Sequence, residues 1–179
     1  MSFAIIVLIV LLLVAFLLLR LVRTQRTPLT NFDDLTGHTL AVDLDALQNL
    51  VDPAETQFLR QKLSPAQFRI VQRERILATA EYVRRISHNA GLLIQLGQLT
   101  LAGPDPQLVE SARVMVERAG HVRIMATMVL MKLYVRSVVP ALPLSTDDIF
   151  RDYRNLTESA ILFTRLQRPA FAGRMGAML

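Results

Sequence analysis

The chain has 179 residues, 52% of them hydrophobic, with 20 Lys and Arg against 15 Asp and Glu. It contains no cysteine, which excludes disulfides, thiolate metal sites and cysteine nucleophiles. Arg20, Arg23 and Arg26 flank one apolar segment, and the 17 cations that remain nearly balance the 15 acidic residues, so no strongly basic domain of the nucleic-acid-binding kind is left.

Phe3 to Leu19 carries no charge and is rich in Leu, Ile and Val. Extended to Val22, with Arg20 snorkelling, it makes a helix of about 30 Å, the thickness of a bilayer core. Met1 and Ser2 supply no side-chain cation and no small-x-small site follows, so an uncleaved anchor over residues 1–26 is expected rather than a cleavable signal peptide. Every flanking cation lies on the C-terminal side. The positive-inside rule then expects the N-terminus outside the cell (inner) membrane and residues 27–179 in the cytoplasm. In that orientation Asn155-Leu156-Thr157 is an ordinary exposed helix position, not a glycosylation site.

Residues 27–43 read as a tether, with Pro28, Gly37 and His38 and no sustained period, and with a short extended piece at His38 to Val42. Asp43 can cap a helix over 44–51. Asp52-Pro53-Ala54-Glu55 then gives an N-cap, a proline at the first helical position and a carboxylate at the third, opening a helix to about Leu63. Ser64-Pro65-Ala66-Gln67 repeats that signal at the head of a much longer element.

From there the sequence predicts a long antiparallel hairpin, with arms over about 65–102 and 106–139 joined by Gly103-Pro104-Asp105-Pro106. The second arm steps alternately by four and three through Leu108, Ala112, Met115, Ala119, Val122, Ala126, Val129 and Leu133. A matching stripe on the first arm runs through Ile76, Ala80, Val83, Ser87, Ala90, Ile94, Gly97 and Leu101. These are seams of helices packed along their length, and the small residues in both allow close approach of the backbones. Gly91 and Gly97 each weaken the first arm by about 1 kcal/mol relative to Ala, so a bend is conceivable there. Val122 to Leu144 is apolar nearly all round, interrupted by Arg123, Lys132 and Arg136. The interval between Arg123 and Lys132 is too short for a second membrane span, so this arm is expected to be covered on several sides or to touch the membrane surface.

Ser145-Thr146-Asp147-Asp148 starts a third helix, about 146–167, where acidic residues favour the dipole and Ile149, Tyr153, Leu156, Ala160 and Phe163 repeat the four-three step. Residues 169–179 read as a flexible tail whose Phe171, Met175, Met178 and Leu179 can dock on a partner. The expected fold is thus all-α: a single transmembrane helix, then a cytoplasmic helical bundle over 44–168 built on the hairpin and the third helix.

His88 and His121 reflect onto similar levels of the hairpin, with Glu81 and Glu117 one or two turns away. A metal site is therefore conceivable. The Glu-x-x-His signature of di-iron bundles is absent, as is HExxH, and histidines that pack or hydrogen-bond are the plainer expectation. Arg85-Ile86-Ser87-His88-Asn89 resembles, over those five residues, the phosphoacceptor helix of histidine kinases and phosphotransfer proteins. The acidic residue that usually follows the phosphoacceptor is Asn89 here, and the chain has no glycine-rich ATP-binding region. An Arg cluster from Arg60 through Arg85 is interleaved with Glu55, Glu74 and Glu81 and lacks an aromatic platform. It reads as a solvated face turned toward anionic lipid, with nucleic acid the lesser alternative. Met125, Met128 and Met131, three apart, fill core gaps or, with Tyr134 and Val138, offer an adaptable surface to a partner. The functional expectation is a membrane-anchored interaction module without catalysis, cofactor or small-molecule substrate, whose partners are the bilayer (through Arg20, Arg23 and Arg26) and a protein or a second copy. The alternatives are a metal- or ligand-binding bundle using His88 and His121, and lipid or nucleic-acid binding through the Arg face.

Overall fold

The computed structural model describes residues 35–138 and 147–167, with side chains over 37–135 and 150–166. The expected anchor with Arg20, Arg23 and Arg26, the first part of the tether, the tail, and the Val138 and Ile149 side chains lie outside the described residues. Within them every regular element is a helix: α1 Leu35–His38, α2 Leu44–Val51, α3 Pro53–Lys62, α4 Pro65–Thr100, α5 Pro106–Val138 and α6 Asp147–Gln167. None of these is long and apolar enough to cross a membrane.

The helix starts follow from local chemistry, because the first N–H groups of a helix have no partner within it. Asp43 Oδ1 accepts from the Ala46 N–H at 2.9 Å and Asp52 Oδ1 from the Ala54 N–H at 2.9 Å. At the head of α4, Ser64 Oγ accepts from the Gln67 N–H at 3.4 Å while Gln67 Oε1 accepts from the Ser64 N–H at 3.2 Å, a reciprocal capping box. Asp105 Oδ1 takes the Gln107 and Leu108 N–H groups at the head of α5. Pro53, Pro65 and Pro106 each occupy a first helical position, where the missing N–H costs nothing.

The α4–α5 hairpin and α6 enclose one core. On α5 the expected seam is buried from Ala112 to Leu133, with Ala112, Met115, Ala119, Val122 and Ala126 at 0% exposure. On α6, Tyr153, Leu156, Ala160 and Phe163 are all at 0%. Full burial of the large ones, such as Met115, Leu156 and Phe163, stabilises by about 1.5–3 kcal/mol each.

The first-arm seam needs correction. Ala80, Val83, Ala90 and Gly97 are buried as expected, whereas Ser87 and Ile94 are only half-buried and Leu101 is exposed. Ile86, Leu93, Leu96 and Thr100 take their places. A strict four-three repeat drifts against a straight helix by about 20° per heptad, which accumulates over an element of 36 residues. In addition, α4 buries a second side against the segment around Leu40 to Leu47 and against Tyr153.

Gly97 does not bend α4, which runs unbroken from Pro65 to Thr100. It serves close approach: a Cβ there would collide with Val116 Cγ2 and press on the Ala112 carbonyl oxygen at 3.3 Å. Gly97→Ala is therefore expected to destabilise, although Ala is the better helix former by about 1 kcal/mol. Ala119→Leu and Ala126→Leu should each cost about 1–3 kcal/mol by overpacking. Thermal or urea unfolding followed by circular dichroism checks all three, and wild-type stability would place these residues outside the packed seam.

Candidate functional site

Asn89 is an amide in the middle of a long helix at 0% exposure, where an unpaired polar group is costly. Its hydrogen-bonding groups are nevertheless engaged. Oδ1 accepts from the Leu40 N–H at 2.9 Å, and Nδ2 donates to the Leu40 carbonyl at 2.7 Å and to the Tyr153 hydroxyl at 2.9 Å. The side chain thus pairs both backbone groups of Leu40 as a neighbouring strand would, holding the non-helical 39–43 segment against α4 while reaching α6. His88 Nε2 lies 2.9 Å from the His38 carbonyl oxygen, and Arg85 Nη1 donates to the Ala41 carbonyl at 3.4 Å. The stretch singled out for its phosphoacceptor resemblance is a dock for the tether. Sequence reasoning missed Asn89 as a buried residue: Ser87 and His88 stand directly before it, so no unbroken apolar run sets it apart.

Three of the four candidate metal residues are engaged separately. His88 faces His38, His121 Nε2 lies 3.2 Å from Asp152 Oδ2 on α6, and Glu81 pairs with Arg84 at 3.5 Å and Arg85 at 3.3 Å. Glu117 is exposed. Among the described residues no group of three or more His, Cys, Asp or Glu could hold a metal ion. Next to His121, Arg118 donates to the Asn155 carbonyl at 3.2 Å and to the Ser159 hydroxyl, so this part of α5 is a polar lock on α6.

The Arg face divides into two kinds of residue. Arg75 Nη2 donates to the Asn49 and Leu50 carbonyls at 3.0 Å each, capping the C-terminus of α2 from another helix, and Nη1 lies 3.9 Å from Glu55. Arg84 donates to the Tyr134 hydroxyl at 2.6 Å, and Arg85 lies 5.8 Å from the Tyr82 ring centroid besides its bonds to Glu81 and Ala41. Arg60, Lys62, Arg69 and Arg73 are exposed, and no ion pair or hydrogen bond engages them among the described residues.

The methionine row wraps around α5 instead of forming one face. Met125 packs against the core, Met131 is half-buried and Met128 is 50% exposed. Ile124, Met128, Met131 and Val135, which step by four, three and four, form an outer apolar stripe roughly opposite the buried one, with Tyr134 beside it at 43% exposure. Ile124 and Val135 escaped the sequence reading because α5 is apolar on nearly every side, so periodicity alone did not separate inner from outer. Elsewhere, an open groove of about 600 Å³ between α5 and α6 is lined by Val114, Leu162 and Leu166, with Glu110 at its wall.

No family model matches the chain, and no curated protein or solved structure matches it either.

Asn89→Ala would leave the Leu40 backbone and the Tyr153 hydroxyl without this partner. We expect a loss of about 1–3 kcal/mol and faster proteolysis within residues 38–43. Burial pushes the Tyr153 phenol from 10.0 up to about 12, partly offset by the hydrogen bond from Asn89. The folded state thus keeps a proton that the unfolded state releases at lower pH. This stabilisation is complete below pH 10 and is lost as pH rises from 10 toward about 12. Unfolding measured across that window should slope downward in the wild type and less steeply in Tyr153→Phe.

Proposed function

We propose that this chain is a membrane-anchored helical interaction module without catalysis. Residues 1–26 hold it in the bilayer through the apolar run and the Arg20, Arg23 and Arg26 flank, the bundle faces the cytoplasm, and the outer stripe of α5 receives a protein partner or a second copy. The observation that carries the reading is the two-sidedness of α5. Its inner seam from Ala112 to Leu133 is fully used, yet Ile124, Met128 and Val135 stand 48–57% exposed on the opposite side. A continuous apolar stripe left in water marks a contact surface, and unbranched methionines let such a surface adapt to its partner. The apolar run over residues 3–19 and its one-sided cationic flank support the anchor and its orientation.

The test uses the full chain in native membranes. Resistance to alkaline extraction, with the bundle cleaved by protease only from the cytoplasmic side, is the expected result; release by alkali would remove the anchor. A photo-crosslinker at Met128 should capture one dominant species, either a second copy or another protein. Ile124→Asp with Met128→Asp should abolish that crosslink while shifting stability by no more than about 0.5 kcal/mol, because both side chains are on the surface. Crosslinking that persists in the double variant would mean the partner binds elsewhere.

A further inference from the structure

We propose that residues 168–179 of this chain fold back along α6 and seat an apolar stripe in the open groove between α5 and α6, an inference that stands apart from the membrane-anchor reading. The groove holds about 600 Å³, with Val114 on its α5 wall and Leu162 and Leu166 on its α6 wall. Those two leucines are 57% and 56% exposed, whereas Ala160 and Phe163 beside them on α6 are fully buried. Arg118, the cation of the groove, already donates to the Asn155 carbonyl and the Ser159 hydroxyl. Glu110 is exposed, and no ion pair or hydrogen bond engages it among the described residues. The groove thus offers leucine surface with an unanswered carboxylate at its wall, which fits an apolar segment carrying positive charge.

The segment that begins at the mouth of this groove has that chemistry. α6 runs to Gln167, one residue past Leu166, and Pro169 disfavours helical backbone at Arg168, which favours a turn at that point. Arg168 and Arg174 are the only charged residues among 168–179, and Phe171, Met175 and Met178 step by four and then three. On the α6 wall Leu166, Leu162 and Ser159 step by four and then three in the reverse direction. A helical segment running back along α6 therefore sets Phe171 level with Leu166, Met175 with Leu162 and Met178 with Ser159, about 10 Å from first to last on either side. Amphipathic helices that lie in apolar grooves use anchors at this spacing. So short a helix with Gly173 and Gly176 in it is marginal in water, and the groove supplies the packing it lacks. The segment between Val138 and Asp147 joins the opposite ends of the two helices and does not start at this mouth.

The chain has no cysteine, so paired substitutions report contact without background. In the full-length protein, purified in mild detergent, Leu162→Cys/Met175→Cys should close a disulfide within one chain on mild oxidation, read as a reducible, faster-migrating band. Leu162→Cys/Ala177→Cys moves the second cysteine off the stripe, and its closure should be slower by about tenfold or more, because docking concentrates only the facing pair. Phe171→Asp added to the first pair should slow closure by a similar factor. Leu162 is exposed and the other positions lie beyond α6, so circular dichroism should show unchanged helix content in every variant. Equal closure of the two pairs would mean that the tail meets the wall at random, and would overturn the proposal. So would no closure of either pair. Disulfides formed between chains would overturn it as well, by giving the groove to the tail of a second copy. Alkaline extraction tests the anchor separately, and neither result bears on the other.

Discussion

The Asn89 amide is the interaction on which the arrangement of the parts depends. Hydrophobic packing along α4 and α5 is strong but nearly indifferent to sliding, since one four-three step resembles the next. A buried amide is not indifferent, because each of its donors and acceptors is costly to leave unpaired. Bonds to both backbone groups of Leu40 and to the Tyr153 hydroxyl fix the segment before α2 and the rotation of α6 against one point on α4. Gly97 sets the other coordinate, the distance between the arms, because Val116 and the Ala112 carbonyl occupy the space a side chain would need.

The arginines then separate by what they touch. Arg75 closes the carbonyl end of α2, Arg118 locks α5 to α6, and Arg85 holds the tether, each donating to main-chain oxygens far away in sequence. Charge-assisted bonds of this kind are worth more than exposed ion pairs such as Glu81 with Arg84. The guanidinium forks are used as structural clips, while Arg60, Lys62, Arg69 and Arg73, on α3 and the start of α4, stand exposed. A count of Arg against Glu along the sequence mixes these two populations, so a solvated face was the natural expectation for the whole run.

What was legible in the sequence was local or strictly periodic. Asp43, Asp52, Ser64 and Asp105 announced their helices because a cap is made by residues two or three apart. The seams of α5 and α6 were legible because each helix buries one stripe with a steady step. The α4 seam was only half legible, since that helix serves two neighbours and its stripe widens from one to the other. The Asn89 site was not legible at all as a site. Its partners lie 49 and 64 positions away, and nothing in a sequence states which backbone group will arrive beside a buried amide. The same limit applied to His88 and His121: their spacing was compatible with a shared ligand, while the tether and Asp152 claimed them one by one.

The outer stripe of α5 has a fixed place on the bundle. Arg84 bonded to Tyr134 pins the register of the hairpin, so the outer stripe of α5 runs beside the middle of α4. If residues 1–26 anchor the chain, the stripe stands on the bundle beside the membrane, where a soluble domain or a second anchored copy can reach it. Confinement beside the membrane would also raise the effective concentration of any partner anchored in the same leaflet. A modest apolar stripe, too weak to hold a partner in free solution, would then suffice, which is consistent with a surface of four or five side chains and not a broad hydrophobic face.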